Sequence, residues 1–215
     1  MPVRIAPSLA SASMDRLGQV LVELETAGAD YIHFDVEDGS FVPVMTLGTK
    51  LISDLRPLTG LPFDVHLMMV NPEWILPGLI RSGANRVSVH YEACPYPRRV
   101  LHEIVSLGAQ AGLAFNPATP LPDLSYLLPY LSFVVILTTE PEIPESPFLP
   151  EVLEKVQDGK RVRGLQELEW VVDGDVTSEN LSSVIQAGAD TVVVGRAIFK
   201  EDRIAENMMA LRKAY

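Results

Sequence analysis

A short pattern, Gly-Ala followed by a polar residue, recurs at Gly28-Ala29-Asp30, Gly83-Ala84-Asn85, Gly108-Ala109-Gln110 and Gly188-Ala189-Asp190. Each copy closes a stretch of helical apolar spacing and opens a short β-rich run. Glycine just past a helix end is the usual left-handed cap. The glycines lie 55, 25 and 80 residues apart, which fits two, one and three units of about 27 residues. A chain of 215 residues then holds about eight strand–helix units, the number that closes a parallel barrel. The expected fold is α/β, a single (β/α)8 TIM barrel over residues 1–215.

The strands are expected at Arg4–Pro7, Tyr31–Val36, Phe63–Leu67, Arg86–His90, Ala111–Phe115, Phe133–Leu137, Glu169–Val172 and Thr191–Val194. Between them, apolar residues fall at helical spacing, as Leu17, Val20, Leu21 and Leu24 do in the first helix. Pro72, Pro97 and Pro120 stand where helices should begin. Thr177-Ser178-Glu179-Asn180 reads as a capped helix start. The least regular stretch is Thr138 to Leu168. Its run from Glu140 to Pro147 is too proline-rich for helix or central strand.

Composition narrows the function. The net charge of −11 argues against nucleic acid and anionic membranes, which need clustered Lys and Arg. A small phosphorylated ligand stays possible, since backbone amides can hold it. No apolar run approaches the roughly 20 residues that span a bilayer. Met1-Pro2-Val3-Arg4 does not open a signal peptide. Cys94 is the only cysteine, so no disulfide framework is expected, and a reducing cytoplasm is the natural setting.

Barrel enzymes carry their chemistry at the C-terminal ends of the strands. Ser8 ends the first expected strand. His33 and Asp35 alternate on the second, Asp64 and His66 on the third, so each pair shares a side. His90 and Glu92, Asn116, Asp173, and Gly195-Arg196 end later strands. Charges pointing into a barrel are costly unless paired or bound to metal. Two histidines and two carboxylates there suit a divalent ion. Hydrogen-bonded core histidines beside loop-capping aspartates would give the same pattern.

At these residues the sequence resembles the ribulose-phosphate 3-epimerase family. The matching segments are IAPSLAS (5–11), AGADYIHFDVEDGSFVP (27–43), FDVHLMMVNPE (63–73), VHYEA (89–93), NPATPL (116–121), VDG (172–174) and VVVGRAIF (192–199). They keep the family's order over nearly the whole chain. The resemblance implies a barrel of the ribulose-phosphate-binding type that inverts C3 of a ketose phosphate, ribulose 5-phosphate to xylulose 5-phosphate. It implies one divalent metal ion (Zn, Fe, Mn or Co) on His33, Asp35, His66 and Asp173. Asp35 and Asp173 would also be the acid and base. Ser8, His66, Met68, Gly174, Gly195 and Arg196 would contact substrate. A homo-oligomer is expected, since the family commonly forms dimers or hexamers.

The departures from the family pattern lie in the methionine cap over the reacting carbons, of which only Met68 remains, and in the phosphate site. The family's Asp-Val-Met-Asp-Gly segment has Glu37 in place of Met. The methionine after strand six is missing, where Leu137-Thr138-Thr139 stands. A glycine-rich phosphate loop is replaced by Thr139-Glu140-Pro141-Glu142-Ile143-Pro144-Glu145, which loses amide donors and adds three glutamates. Asp175 follows Asp173-Gly174 where a small residue is usual. Arg196 replaces a serine and would bind an anion or pair with Asp175 or Glu142. Glu37 would either stand near a negative intermediate or turn outward. Two other readings follow: an epimerase or isomerase of a different or unphosphorylated ketose, and a non-catalytic barrel.

Overall fold

The computed structural model describes residues 2–141, 143 and 145–214. In chain order the elements are β1 (Arg4–Pro7), α1 (Leu17–Thr26), β2 (Ile32–Glu37), α2 (Thr49–Leu55), β3 (Phe63–Met68), α3 (Leu76–Arg81), β4 (Ala84–His90), α4 (Pro97–Ser106), β5 (Gln110–Phe115), β6 (Phe133–Leu137), α5 (Glu154–Arg161), β7 (Glu169–Asp173), α6 (Leu181–Ala187), β8 (Thr191–Val194), α7 (Arg196–Phe199) and α8 (Ile204–Lys213). The sheet order is β1-β8-β7-β6-β5-β4-β3-β2, with every ladder parallel. The seam between β1 and β2 closes through an isolated bridge, Ser8 to His33. The sheet is thus a nearly closed eight-stranded barrel, as the repeat implied.

The expected strands fall within two residues of those observed. The repeat glycines do what their pattern predicted: Gly28, Gly83, Gly108 and Gly188 all have positive φ, from 79° to 111°. Pro97 opens α4, and Pro72 opens a 3-10 turn ahead of α3. Pro120 does not open a helix. Three prolines crowd residues 116–122, and only a short 3-10 turn, Ser125–Leu127, follows them. That loop is pinned instead by Lys155, whose Nζ donates to the carbonyls of Asn116, Pro117 and Thr119. Thr177 to Asn180 forms a turn rather than the first turn of helix, and α6 begins at Leu181. The irregular stretch after β6 contains α5, while its described residues between 140 and 147 hold no helix or strand.

Strand alternation sorts the core into two parts. Outward residues such as Ile32, Phe34, Val87, Val89, Trp170 and Val172 pack beneath the helices with Leu17, Val20, Leu21 and Leu24. Inward residues Ala6, Ala114, Phe133, Val135, Leu137, Val171 and Val193 fill part of the barrel. The rest of the interior is polar: Arg86, Asp64, His33, His66, Ser88, His90 and Thr191 are all buried. The barrel is therefore mostly apolar on the β5–β8 side, where Glu169, Asp173 and Thr191 are the polar exceptions, and charged on the β2–β4 side.

Gly112 makes the apolar side fit. A Cβ there would sit 2.3 Å from the ring of Phe133 on the neighbouring strand. Gly112→Ala should lower stability by about 1–3 kcal/mol through overpacking, read as a lower urea midpoint at unchanged slope. An unchanged midpoint would mean that Phe133 has room to move aside.

Candidate active site

The ends of β2, β3 and β7 bring His33, Asp35, His66 and Asp173 together. In register, Asp35 lies beside His66 and His33 beside Asp64. One donor atom from each of His33, Asp35, His66 and Asp173 lies within 4.8 Å of the others. His33 Nε2 is 3.2 Å from Asp35 Oδ1 and 3.7 Å from Asp173 Oδ2. His66 Nδ1 is 3.6 Å and 3.5 Å from the same two oxygens. These separations exceed ordinary hydrogen bonds for three of the four contacts.

The remaining polar atoms of three of these residues are already engaged. Ser8 Oγ donates to Asp35 Oδ2 at 2.6 Å. His33 Nδ1 lies 2.8 Å from Asp64 Oδ2. His66 Nε2 lies 2.8 Å from His90 Nε2. His66 Nδ1, by contrast, is buried and has no hydrogen-bond partner. An orphaned imidazole nitrogen facing two carboxylates is what a divalent cation would satisfy, so the residues present fit a metal ion.

The electrostatics follow from burial opposed by close charges. Burial alone would lower the His33 pKa, but the neighbouring Asp35 and Asp64 raise it well above the ordinary value. Burial disfavours ionised Asp35, and His33 and His66 more than offset this, so its carboxyl stays ionised far into acid. Burial also opposes ionised Asp64, yet Arg86 and His33 hold it below the usual range. Arg86 Nε donates to Asp64 Oδ1 at 3.0 Å and Nη1 to Glu169 Oε1 at 2.8 Å. Its guanidinium lies over the rings of Tyr31 and Phe133. The chain Arg86–Asp64–His33 thus runs from the barrel interior to the site.

On the other side, His90 Nδ1 is 3.2 Å from Glu92 Oε2. Burial drives the His90 pKa down to about 4, so this ring is neutral near pH 7. Burial opposes ionised Glu92, but His90, Thr119 and the Asn116 amide outweigh it and bring its pKa to about 2.

A cavity of about 170 Å³ opens above the cluster, lined by Ser8, Asp35, Asp173, Asp175, Gly195 and Arg196 among others. It shares Ser11, Asp175, Arg196 and Ala197 with a larger groove of about 630 Å³. Met68 follows His66 on the inward parity of β3 and is buried, but it does not line this cavity. Gly174 does not line it either; its carbonyl accepts from Thr138 Oγ1 at 2.7 Å.

Two open readings take definite form. Arg196 Nη2 donates to Asp175 Oδ1 at 2.7 Å, so the two charges meet each other. Glu142 lies outside the described residues. Glu37 turns from the cavity: its Oε2 accepts from the amide and hydroxyl of Thr46, each at 2.6 Å. It ties down the loop after β2, while its charge remains close enough to be felt by Asp35 and His66.

Sequence reasoning gave no role to Arg86 or to the pairing of Asp64 with His33. A signal was present: Arg86 falls on an inward position of a strand, where a charge needs partners. Its partners come from β3 and β7, and only the register reveals them.

Residues 4–199 match the family model described as "Ribulose-phosphate 3 epimerase family". The ribulose-phosphate 3-epimerase of Synechocystis sp. is 40% identical over 216 residues, covering 98% of this chain and 93% of that protein. The ribulose-phosphate 3-epimerase of Bacillus subtilis is 38% identical over 200 residues, covering 92% of each. Among solved structures, a mutant tryptophan synthase alpha-subunit from Pyrococcus furiosus superposes with a TM-score of 0.68 at 16% identity, covering 99% of this chain and 95% of that one. That likeness concerns the barrel fold alone.

Removing the Arg86 charge should be severe. Arg86→Met leaves the buried Asp64 and the half-buried Glu169 beside an apolar chain, and breaking such a network costs about 3–5 kcal/mol. Equilibrium unfolding measures this directly. A loss under about 1 kcal/mol would mean that the carboxylates find other partners.

Proposed function

Since the chain belongs to the ribulose-phosphate 3-epimerase family, isomerases acting on carbohydrate phosphates, we propose that Asp35 and Asp173 are its two proton-transfer groups. In this reading they share one divalent metal ion with His33 and His66. The observation that carries it is the convergence of four donor atoms, with the orphaned His66 Nδ1 among them.

Epimerisation at the carbon beside a ketone takes a proton from one face and returns one to the other. One carboxylate accepts and the other, protonated, donates, so no atom or electron is gained overall. Asp35 and Asp173 stand on β2 and β7, strands that are not neighbours in the sheet, and both border the same small cavity. Ser8 fixes the second oxygen of Asp35. When that oxygen takes a proton, the hydroxyl can turn and accept a hydrogen bond from it. His33 and His66, buried and held by Asp64 and His90, keep the donor set in place. A divalent ion bound there would supply electrophilic stabilisation of the charge that develops on the substrate oxygens. Two imidazoles and two carboxylates suit Zn2+, Fe2+, Mn2+ or Co2+, with availability selecting among them.

The phosphate is received, in this reading, at the ends of β7 and β8 by Gly174, Gly195 and Arg196. Arg196 is exposed and already oriented by Asp175. It exchanges that partner for the phosphate, a bidentate acceptor of higher charge. The features that had suggested an unphosphorylated substrate carry less weight here. Glu37 is engaged by Thr46 and Asp175 is neutralised by Arg196.

Among the described residues no helix is long and apolar enough to cross a membrane. Cys94 is buried, and burial pushes its thiol up to about 12, so it packs as a small apolar residue. A reducing cytoplasmic setting and self-association complete the reading, the latter measurable by light scattering.

Exchange of the C3 proton of ribulose 5-phosphate in D2O, followed by NMR, tests the two-base assignment. Asp35→Asn and Asp173→Asn should each slow exchange by about 100-fold or more while circular dichroism shows the fold retained. Full exchange in either variant removes that residue from its role. Arg196→Met should raise KM by about 10- to 100-fold, the loss of one charge-assisted contact, with metal affinity unchanged. An unaltered KM would leave Arg196 as the partner of Asp175 alone.

A further inference from the structure

We infer that His90, backed by Glu92, is a positioning residue that decides which nitrogen of His66 carries the proton. This rests on the reading of His66 as a metal ligand, and it goes beyond that reading by naming what prepares the ligand.

The argument runs along one line of hydrogen bonds. Glu92 Oε1 accepts from the Asn116 amide at 2.8 Å, and Oε2 faces His90 Nδ1 at 3.2 Å. An ionised carboxylate only accepts, so the His90 proton sits on Nδ1. A neutral imidazole with its proton there presents a lone pair at Nε2. That nitrogen lies 2.8 Å from His66 Nε2. Two lone pairs do not face each other at that distance, so His66 Nε2 carries a proton and donates it. In neutral His66 the lone pair is thereby left on Nδ1, the atom that faces Asp35 and Asp173, whose charges favour a further proton there until a cation takes its place.

The ring geometry agrees. The planes of His66 and His90 differ by 18°, and their centroids are 4.8 Å apart while two nitrogens are 2.8 Å apart. Rings so placed meet edge to edge, as an in-plane N–H to N bond requires. Both rings are fully buried, so water does not compete for these atoms. Phe41 packs against His90 at 4.5 Å and helps hold its plane.

The same logic gives neutral His33, the form that could hold a metal, the opposite tautomer. Its Nδ1 donates to Asp64 and its Nε2 is left for the site. The two imidazoles therefore present different nitrogens, each fixed by a carboxylate at the far end of its own chain: Asp64 directly for His33, and Glu92 through His90 for His66. Partners of this kind typically change metal affinity by about 10- to 100-fold when removed.

The test uses two kinds of variant and two readouts. His90→Leu keeps apolar bulk but offers no acceptor; His90→Gln and His90→Asn keep a carbonyl that can accept from His66 Nε2. In metal-free full-length protein with 15N-labelled histidine, at a pH high enough to leave His66 neutral, long-range proton–nitrogen NMR reports the His66 tautomer. The wild type should show the proton on Nε2, His90→Leu should lose that preference, and at least one amide variant should restore it. Zn2+ affinity, measured by chelator competition, should fall about 10- to 100-fold in His90→Leu and recover in the same amide variant. A wild-type His66 protonated on Nδ1 overturns the inference. So does a His90→Leu variant with Zn2+ affinity within about twofold of wild type, or equal losses in all three folded variants, which would assign His90 to packing. Wild type that binds Zn2+ no better than His66→Ala would instead sink the ligand reading, while the metal-free NMR still judges the proton placement.

Discussion

Charges of alternating sign, stacked inside a barrel that excludes water, govern this molecule. A lone carboxylate at the depth of Asp64 would not remain ionised. It does so because Arg86 lies on one side and His33 on the other. Arg86 in turn is held by Glu169, which also takes a hydrogen bond from Thr191 and pairs with Arg4. The network joins β1, β2, β3, β4, β7 and β8, so it ties together both sides of the barrel. Its upper end is His33, whose Nε2 faces Asp35 and Asp173.

Much of this was legible in the sequence, for identifiable reasons. Strands in a barrel alternate inward and outward with a period of two. That rule alone put His33 with Asp35 and Asp64 with His66 on common sides, and the structure places all four indoors or at the mouth. The glycine repeat counted the units because each helix needs a left-handed residue to turn back into a strand. What stayed hidden depends on register between strands distant in sequence. Arg86 meets Glu169 across 83 positions, and no local pattern announces such a pair. The helix expected at Pro120 failed for the reverse reason: one proline opens a helix well, but three within seven residues remove the amide donors that a helix needs.

The residues that depart from the family pattern are mutually compensating rather than random. Asp175 stands where it would repel a phosphate, and Arg196 stands within 2.7 Å of it. Asp175 holds a positive φ of 49°, a conformation that aspartate tolerates better than most residues. Together the pair adds no net charge to the rim of the cavity, yet keeps a guanidinium beside it. If Arg196 receives the phosphate as proposed, one side chain already oriented by Asp175 takes the place of the family's glycine-rich loop. Glu37 shows the same economy: its carboxylate is spent on Thr46 and so steadies the loop that begins just after β2.

That His33 presents Nε2 to the site and His66 presents Nδ1 follows from strand geometry. Asp35 lies in register with His66, one strand over, while His33 sits one pleat lower beside Asp64. His33 therefore approaches the shared carboxylates from below with Nε2, and His66 approaches from the side with Nδ1. Each ring must then be anchored at its other nitrogen by a different neighbour: Asp64 on β3 for His33, His90 on β4 for His66. A single anchor could not serve both, because the nitrogens to be held point to different parts of the barrel. The polar half of the interior is thus the supporting frame of the site, and its charged residues are explained by what they hold in place at the mouth.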